Sequence, residues 1–168
     1  FKLKINKCPK VDFLAVQANL PGITLGTALQ PNPYKDIELP GEKLVYDDFR
    51  VSFIVDEEME NYNQIYKWMV GLGYPNSQRD FTDMRLEDPY YSEMGDKENP
   101  NAEFSDGTLQ ILNSNLRAQA YVKIETMFPV SLSSLDFDAT NTDINYFTAQ
   151  VLFKYKIFQL LDKNFKEI

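Results

Sequence analysis

The sequence predicts a β-rich α+β domain, an antiparallel sheet with one flanking helix. Three observations point there. Apolar and polar residues alternate with period two along most of the chain, one stretch alone switches to a helical period, and two long C-terminal strands each carry one apolar and one largely polar face. The chain has 168 residues and is 43% hydrophobic. Domains typically run to about 100–200 residues, so this is enough for one core and short for two, and a single domain over 1–168 is expected.

Taken in order, Phe1, Leu3 and Ile5 alternate with lysines and an asparagine, as in a strand with one wet face. FLAVQANL, residues 13–20, reads as a second strand that stops at the turn pair Pro21-Gly22. In DFRVSFIVDE the residues Phe49, Val51, Phe53 and Val55 share a face. The period then changes. Asp56 is a good N-cap, Glu57 and Glu58 suit the positive end of a helix dipole, and Tyr62, Ile65, Tyr66 and Met69 recur at i, i+3, i+4, i+7 until Gly71 and Gly73. Residues 76–106 are polar, acidic and punctuated by Pro89, Gly95 and Pro100, and they read as a long loop excursion. TLQILN, a turn over Asn113–Asn115, and a long strand follow. In that strand Ala118, Ala120, Val122, Ile124 and Thr126 form one face, and Arg117, Gln119, Tyr121, Lys123 and Glu125 the other. After an irregular connection a last strand runs from Tyr146 to about Phe158. There Phe147, Ala149, Val151, Phe153, Tyr155 and Ile157 alternate with residues that include Thr148, Gln150 and Lys154.

Composition excludes several functions. With 17 Lys+Arg against 25 Asp+Glu the formal net charge is -8, the opposite of a surface built to release counterions from nucleic acid. The chain has no histidine and one cysteine, Cys8. An intramolecular disulfide, Cys/His zinc sites and His-based catalytic arrangements are therefore ruled out. No apolar run approaches the roughly 20 residues of a membrane span, and FKLKINK has no signal-peptide core, so a soluble, non-secreted protein is expected. The start at Phe1 leaves upstream residues open. Carboxylates cluster at Asp47/Asp48, Asp56/Glu57/Glu58 and Asp136/Asp138, which raises a glycosidase pair or a Ca²⁺ site. DFDATNTD lacks the glycine and terminal glutamate of an EF-hand, and helix capping explains Asp56 and its neighbours. No catalytic residue, metal or cofactor is expected.

PNPYKDIELPGEKLVYDD, residues 31–48, is harder to place. Three prolines lie between two good strands where a short turn would serve. Fully extended at about 3.3 Å per residue, Pro31 to Leu44 would reach roughly 45 Å, several times the roughly 10 Å separation of packed sheets. Tyr34, Ile37 and Leu39 have no evident place in the domain's own core. Two readings follow from the pattern alone: an arm over Tyr34, Lys35, Asp36, Ile37, Glu38 and Leu39 that seats on a neighbouring subunit, or a surface Ω-loop packed on itself.

These residues also carry a resemblance. LPGI, the proline-containing excursion, then PGEKLVYDDFRVSFIVDEE leading into a helix that ends in IYKWM, resembles the tail tube proteins of contractile-tailed bacteriophages. VKIETMFPVSLSSLDFDATNTDINYFTAQVLFKYKIF is similar to that family's C-terminal block, and the two blocks span residues 13–70 and about 117–160. The resemblance implies a β-sandwich or partial barrel with one flanking helix that forms hexameric rings. Stacked rings would make the DNA-conducting channel of a tail tube, a structural role with no enzymatic one. It also implies copies of the chain itself, tail sheath and baseplate or neck proteins as partners, phage DNA passing without tight binding, and a virion location after assembly in the host cytoplasm. No membrane partner is expected.

The resemblance favours the arm over the Ω-loop. It also gives the polar strand faces a use: in a ring, Gln119, Tyr121, Lys123, Glu125, Thr148, Gln150 and Lys154 would line the channel, although Lys123 and Lys154 oppose the negative charge that keeps DNA from sticking. Tyr90 and Tyr91 in the acidic excursion would contact a partner protein or anchor their loop. The long excursion leaves open a tube-like baseplate or neck adaptor ring. From another class, a monomeric β-sandwich binding carbohydrate through exposed aromatics is the alternative.

Overall fold

The computed structural model describes residues 1–75, 77–86, 103–137 and 146–167. The elements in chain order are β1 (Lys2–Ile5), α1 (Pro9–Leu14), β2 (Ala15–Ala18), β3 (Ile23–Gln30), β4 (Ile37–Tyr46), β5 (Phe49–Ile54), α2 (Glu60–Gly73), α3 (Gln78–Leu86), β6 (Ser105–Leu112), β7 (Ala118–Leu132), β8 (Thr148–Lys154) and β9 (Ile157–Asp162). All pairings are antiparallel, in the order β1-β6-β7-β8-β5-β2, with β9 also on β7 and β3-β4 as a separate hairpin. The sheet does not close into a barrel, and its path ends on two four-residue strands, β1 and β2.

Alternation decides which side of each strand is buried. Phe49, Val51 and Phe53 of β5 lie beside Ala149, Val151 and Phe153 of β8 in direct register, and all six are buried. Val122, Ile124 and Met127 of β7, Leu109 of β6 and Leu3 and Ile5 of β1 complete the strand side of the core, against Val11 of α1 and Ile65 and Trp68 of α2. Phe153 is central to this packing. Its ring centroid lies 6.2 Å from Phe49 and 6.1 Å from Trp68. The Trp68 Nε1–H donates to the Glu103 carbonyl at 3.2 Å, so the largest core side chain leaves no buried donor unmet.

The last long strand of the sequence reading is two strands bent at a corner. Strand β7 is 15 residues long, and its burial switches from Val122 and Ile124 to Met127 and Pro129, so Thr126 does not continue the Ala118–Ile124 face. Thr126 sits at φ 57°, a left-handed backbone that breaks the alternation, and the Asp106 carboxylate accepts its N–H at 3.0 Å. Opposite this bulge β6 shifts register between Ser105 and Gly107. On the other side the C-terminal strand breaks at Tyr155-Lys156, where Lys156 N–H donates to the Glu125 carbonyl. The three irregularities lie at one level across the ladder. Beyond it β7 exchanges partner β9 for β8.

Helix α2 is the expected one, entered later and turned by one residue. Asp56 does not cap it: its carboxylate accepts only from Glu57 N–H at 2.9 Å, and the helix begins at Glu60 after Met59 in the left-handed region. Asn61 governs the entry. Its buried amide accepts from Asp56 and Tyr62 N–H and donates to the Ile54 carbonyl at 2.7 Å, tying β5 to α2. The core face is Asn61, Ile65 and Trp68, while Tyr66, expected inward, is exposed.

Two short helices join it. Within the excursion at 76–106, α3 begins with a capping box: Ser77 Oγ accepts Arg79 N–H at 3.2 Å and the Asp80 carboxylate accepts Ser77 N–H at 3.4 Å. Its Met84 is buried against Gly71 of α2. The N-terminal part of FLAVQANL is helical, since Pro9 at the start of α1 pre-sets the first turn, and the strand is confined to Ala15–Ala18.

Helix α1 also holds a titratable group against the sheet margin. Half-buried Asp12 accepts Ile5 N–H at 2.7 Å, and burial pushes its carboxyl up from 3.8 to about 7, against the Ile5 hydrogen bond and Lys4, which pull it down. A raised carboxyl holds its proton more tightly in the folded state than in the unfolded one. Its contribution to stability is therefore fully present below about pH 4 and lost as pH rises through about 7. Asp12→Asn keeps an acceptor for Ile5 and removes the buried charge. The expected outcome is a melting temperature above that of the native chain at pH 8, with the gap closing between pH 7 and pH 4, read by thermal scans across pH.

Candidate functional site

The excursion is a β-hairpin that stands off the body. Strands β3 and β4 pair from Ile23↔Tyr46 to Gln30↔Ile37, and the expected arm therefore begins at Ile23, eight residues before Pro31. Pro40 lies in β4 opposite Thr27, and the chain turns over residues 31–36, so the prolines do not stiffen a single extended strand. The eight residues of β3 span roughly 26 Å at about 3.3 Å each, short of the 45 Å reach of an extended chain. Every residue of β3 is exposed, and in β4 only Gly41 and Tyr46 are less than exposed. Among the described residues the hairpin makes no extensive contact with any other strand or helix.

Directly opposed antiparallel residues share a face, so Ile37 and Leu39 lie together with Gln30 and Ala28, while Glu38 and Leu29 look the other way. Tyr34 at the tip is 98% exposed and Leu29 63%. Tyr34 N–H donates to the Asn32 side chain, and Lys35 and Asp36 complete the turn. At the waist, where the register slips, a Cβ on Gly41 would lie 2.3 Å from the Gly26 carbonyl oxygen, so only glycine lets the strands approach there.

The hairpin's base is tied to the corner. Tyr46 meets Tyr155 and Phe158 edge-on, each at 5.9 Å. Asp47 N–H donates to the Gly22 carbonyl at 3.0 Å; Asn19 accepts Arg50 N–H and donates to the Asp48 carbonyl. Asp48 also pairs with Lys154. Burial, then Asp47, Tyr46 and Asp48, push the Tyr155 hydroxyl up to about 12, so it stays neutral at physiological pH.

The seven polar positions expected on one lining fall in two patches. Gln119, Tyr121, Lys123 and Glu125 lie on the part of β7 flanked by β6 and β9. Thr148, Gln150 and Lys154 lie on β8 beside β5, across the corner. Within each patch, side chains are engaged. Lys123 Nζ pairs with Glu125 at 2.8 Å, which holds it charged above the ordinary lysine range, and Gln110 donates to the Tyr121 hydroxyl at 3.2 Å. Gln150 reaches the Ser52 hydroxyl at 3.4 Å, and Lys154 pairs with Asp48. Both lysines that would oppose a negative lining are thus matched by a carboxylate. Tyr90, Tyr91 and Asp138 lie outside the described residues.

The sequence reading missed the apolar groove beside the distal half of β7. Met69 and Leu72 of α2, with Phe104, Phe128, Pro129 and Val130, enclose about 530 Å³. The signal was present in FPV, where the bulge at Thr126 turns Val130 outward. Among the described residues no cluster of three Asp, Glu or Cys side chains could hold a metal ion, and no helix is long and apolar enough to cross a membrane.

The chain thus combines an open sheet with a protruding hairpin rich in exposed apolar side chains. The model of the phage tail tube protein family matches residues 2–160. The chain belongs to that family. Solved structures share the fold of this tail tube family member. The anti-feeding prophage baseplate, 6-fold symmetrised, matches with TM-score 0.60 and 11% identity over 96% of this chain and 90% of that one. The sheath-tube complex of the extracellular contractile injection system PVC matches at 0.52 and 13% over 96% and 87%, and Hcp1 of E. coli EAEC 042 at 0.51 and 11% over 97% and 91%. No curated protein sequence matches the chain.

Proposed function

We propose that this family member is the repeating structural subunit of a phage tail tube, built from rings of six copies stacked around a DNA-conducting channel. The observation that carries the reading is the unfinished sheet: its path ends on β1 and β2, and neighbours in a ring would complete those edges as closure completes a barrel. The hairpin supports it, because a monomer rarely leaves so many apolar side chains in water. Residues Tyr34 to Leu39 then belong to an inter-subunit arm. One of the two polar patches faces the channel, and its matched charges, with the net -8 of each copy, let DNA slide through without counterion-release affinity. Sheath, baseplate or neck proteins would be the outer partners, with Tyr90 and Tyr91 in a contact loop. Virion location, assembly in the host cytoplasm, one domain over 1–168 and the absence of catalysis belong to the same reading.

Sizing of the purified chain with negative-stain imaging tests it. Rings or tubes with a central hole are expected; a 19.5 kDa monomer that binds glycans would support the carbohydrate module instead. A second reading is a single adaptor ring, since the fold also occurs in a baseplate and in a PVC sheath/tube terminator, the latter at TM-score 0.55. Copy number per particle separates the two: many tens for a tube, about six for an adaptor.

A further inference from the structure

Among the described residues the hairpin and the groove beside β7 are two apolar surfaces that no other strand or helix covers. The hairpin face that carries Ile37, Leu39 and Ala28 is uncharged, and among the described residues its apolar side chains meet one another but no other strand or helix extensively. The groove is lined by Met69, Leu72, Phe104, Phe128, Pro129 and Val130, and its sole charged lining residue is Glu103. Glu103 makes no ion pair among the described residues, and neither does Lys35, which precedes the Ile37/Leu39 face by two residues at the hairpin tip. The two surfaces therefore match in apolar character, and Lys35 is the one charge at the hairpin tip opposite in sign to Glu103, with Glu38 turned to the other face beside Leu29.

We propose that the β3-β4 hairpin of one copy seats its Ile37/Leu39 face in the groove of Met69, Phe104, Phe128 and Val130 on the next copy, with Lys35 set against Glu103. The inference rests on the self-assembly reading and assigns the arm its seat. Each copy gives a hairpin and receives one, a head-to-tail contact that closes as a ring or continues as a helix. The apolar contact supplies the affinity, and the solvent-exposed Lys35–Glu103 contact at its rim fixes the register more than it adds affinity.

Site-directed cross-linking tests this cleanly because the one native thiol, Cys8, is buried. Leu39→Cys and Val130→Cys chains, each otherwise native, are mixed under assembly conditions and treated with a short bismaleimide. A covalent dimer is expected in the mixture and in neither variant alone. Lys35→Glu should cut its yield about tenfold, and adding Glu103→Lys to the partner chain should restore it. No mixed dimer, or equal dimer in a single-variant sample, would overturn the seat. Imaging the same samples separates the causes: rings without the cross-link remove the groove and leave the arm, whereas cross-link and rings both absent remove the self-assembly reading too.

Discussion

Phe153→Ala will destabilise the fold by about 3–5 kcal/mol, in the highest range expected for a single core truncation. The side chain is buried between Phe49 and Trp68, so truncation removes the contact that joins β5, β8 and α2 and leaves a cavity that the β5-β8 ladder cannot collapse around. For a chain of this size each kcal/mol moves the melting temperature by about 2–4 °C, so a drop on the order of 10 °C is expected. Urea unfolding of the purified variant measures it. A loss under about 1.5 kcal/mol would mean that the β8 core face is not central to the fold.

Shortening the hairpin will do the reverse, abolishing assembly while sparing the fold. Pro40 has no N–H with which to close a tight turn on Thr27, whereas Ala28 and Leu39 are directly paired, so residues 29–38 can be replaced by Asn-Gly, which closes a two-residue turn on the remaining ladder. The removed residues are exposed and touch little beyond the hairpin. Melting within a few degrees of the native chain is expected, with loss of rings and tubes in negative stain. Persistent assembly would remove the arm from the account, and unfolding would make the hairpin part of the core.

Local physics made much of this architecture legible. Strand β5 stands where strict alternation placed it, because a half-buried strand has only one way to hide Phe49, Val51 and Phe53. The long polar-faced strands exist, yet their bend was hidden: the positive φ of Thr126 answers to the Asp106 carboxylate, 20 residues away in sequence, and alternation cannot report such a contact. The rotation of α2 escaped for a similar reason, since Asn61 reaches back to Ile54. Helix α3 was readable from Ser77 and Asp80 and was masked by the acidic composition around it.

The surfaces proposed for assembly divide in the same way. Residues 34–39 stood out because Tyr34, Ile37 and Leu39 had no core to enter, and they are exposed. That the proposed arm is a hairpin depends on the pairing of Leu29 and Ala28 with Glu38 and Leu39, a register that prolines in the sequence obscured. The polar residues of β7 and β8 alternate alike, and only the corner between those strands shows that they form two patches.

A cryo-EM reconstruction of tails containing the chain tests the completion of the sheet by neighbours most directly. The account predicts six copies per ring, with the edge of β2 and the part of the β1 edge that Asp12 does not cap hydrogen-bonded across subunit boundaries into a continuous closed sheet. Copies that touch only through loops, with those edges left bare, would contradict it.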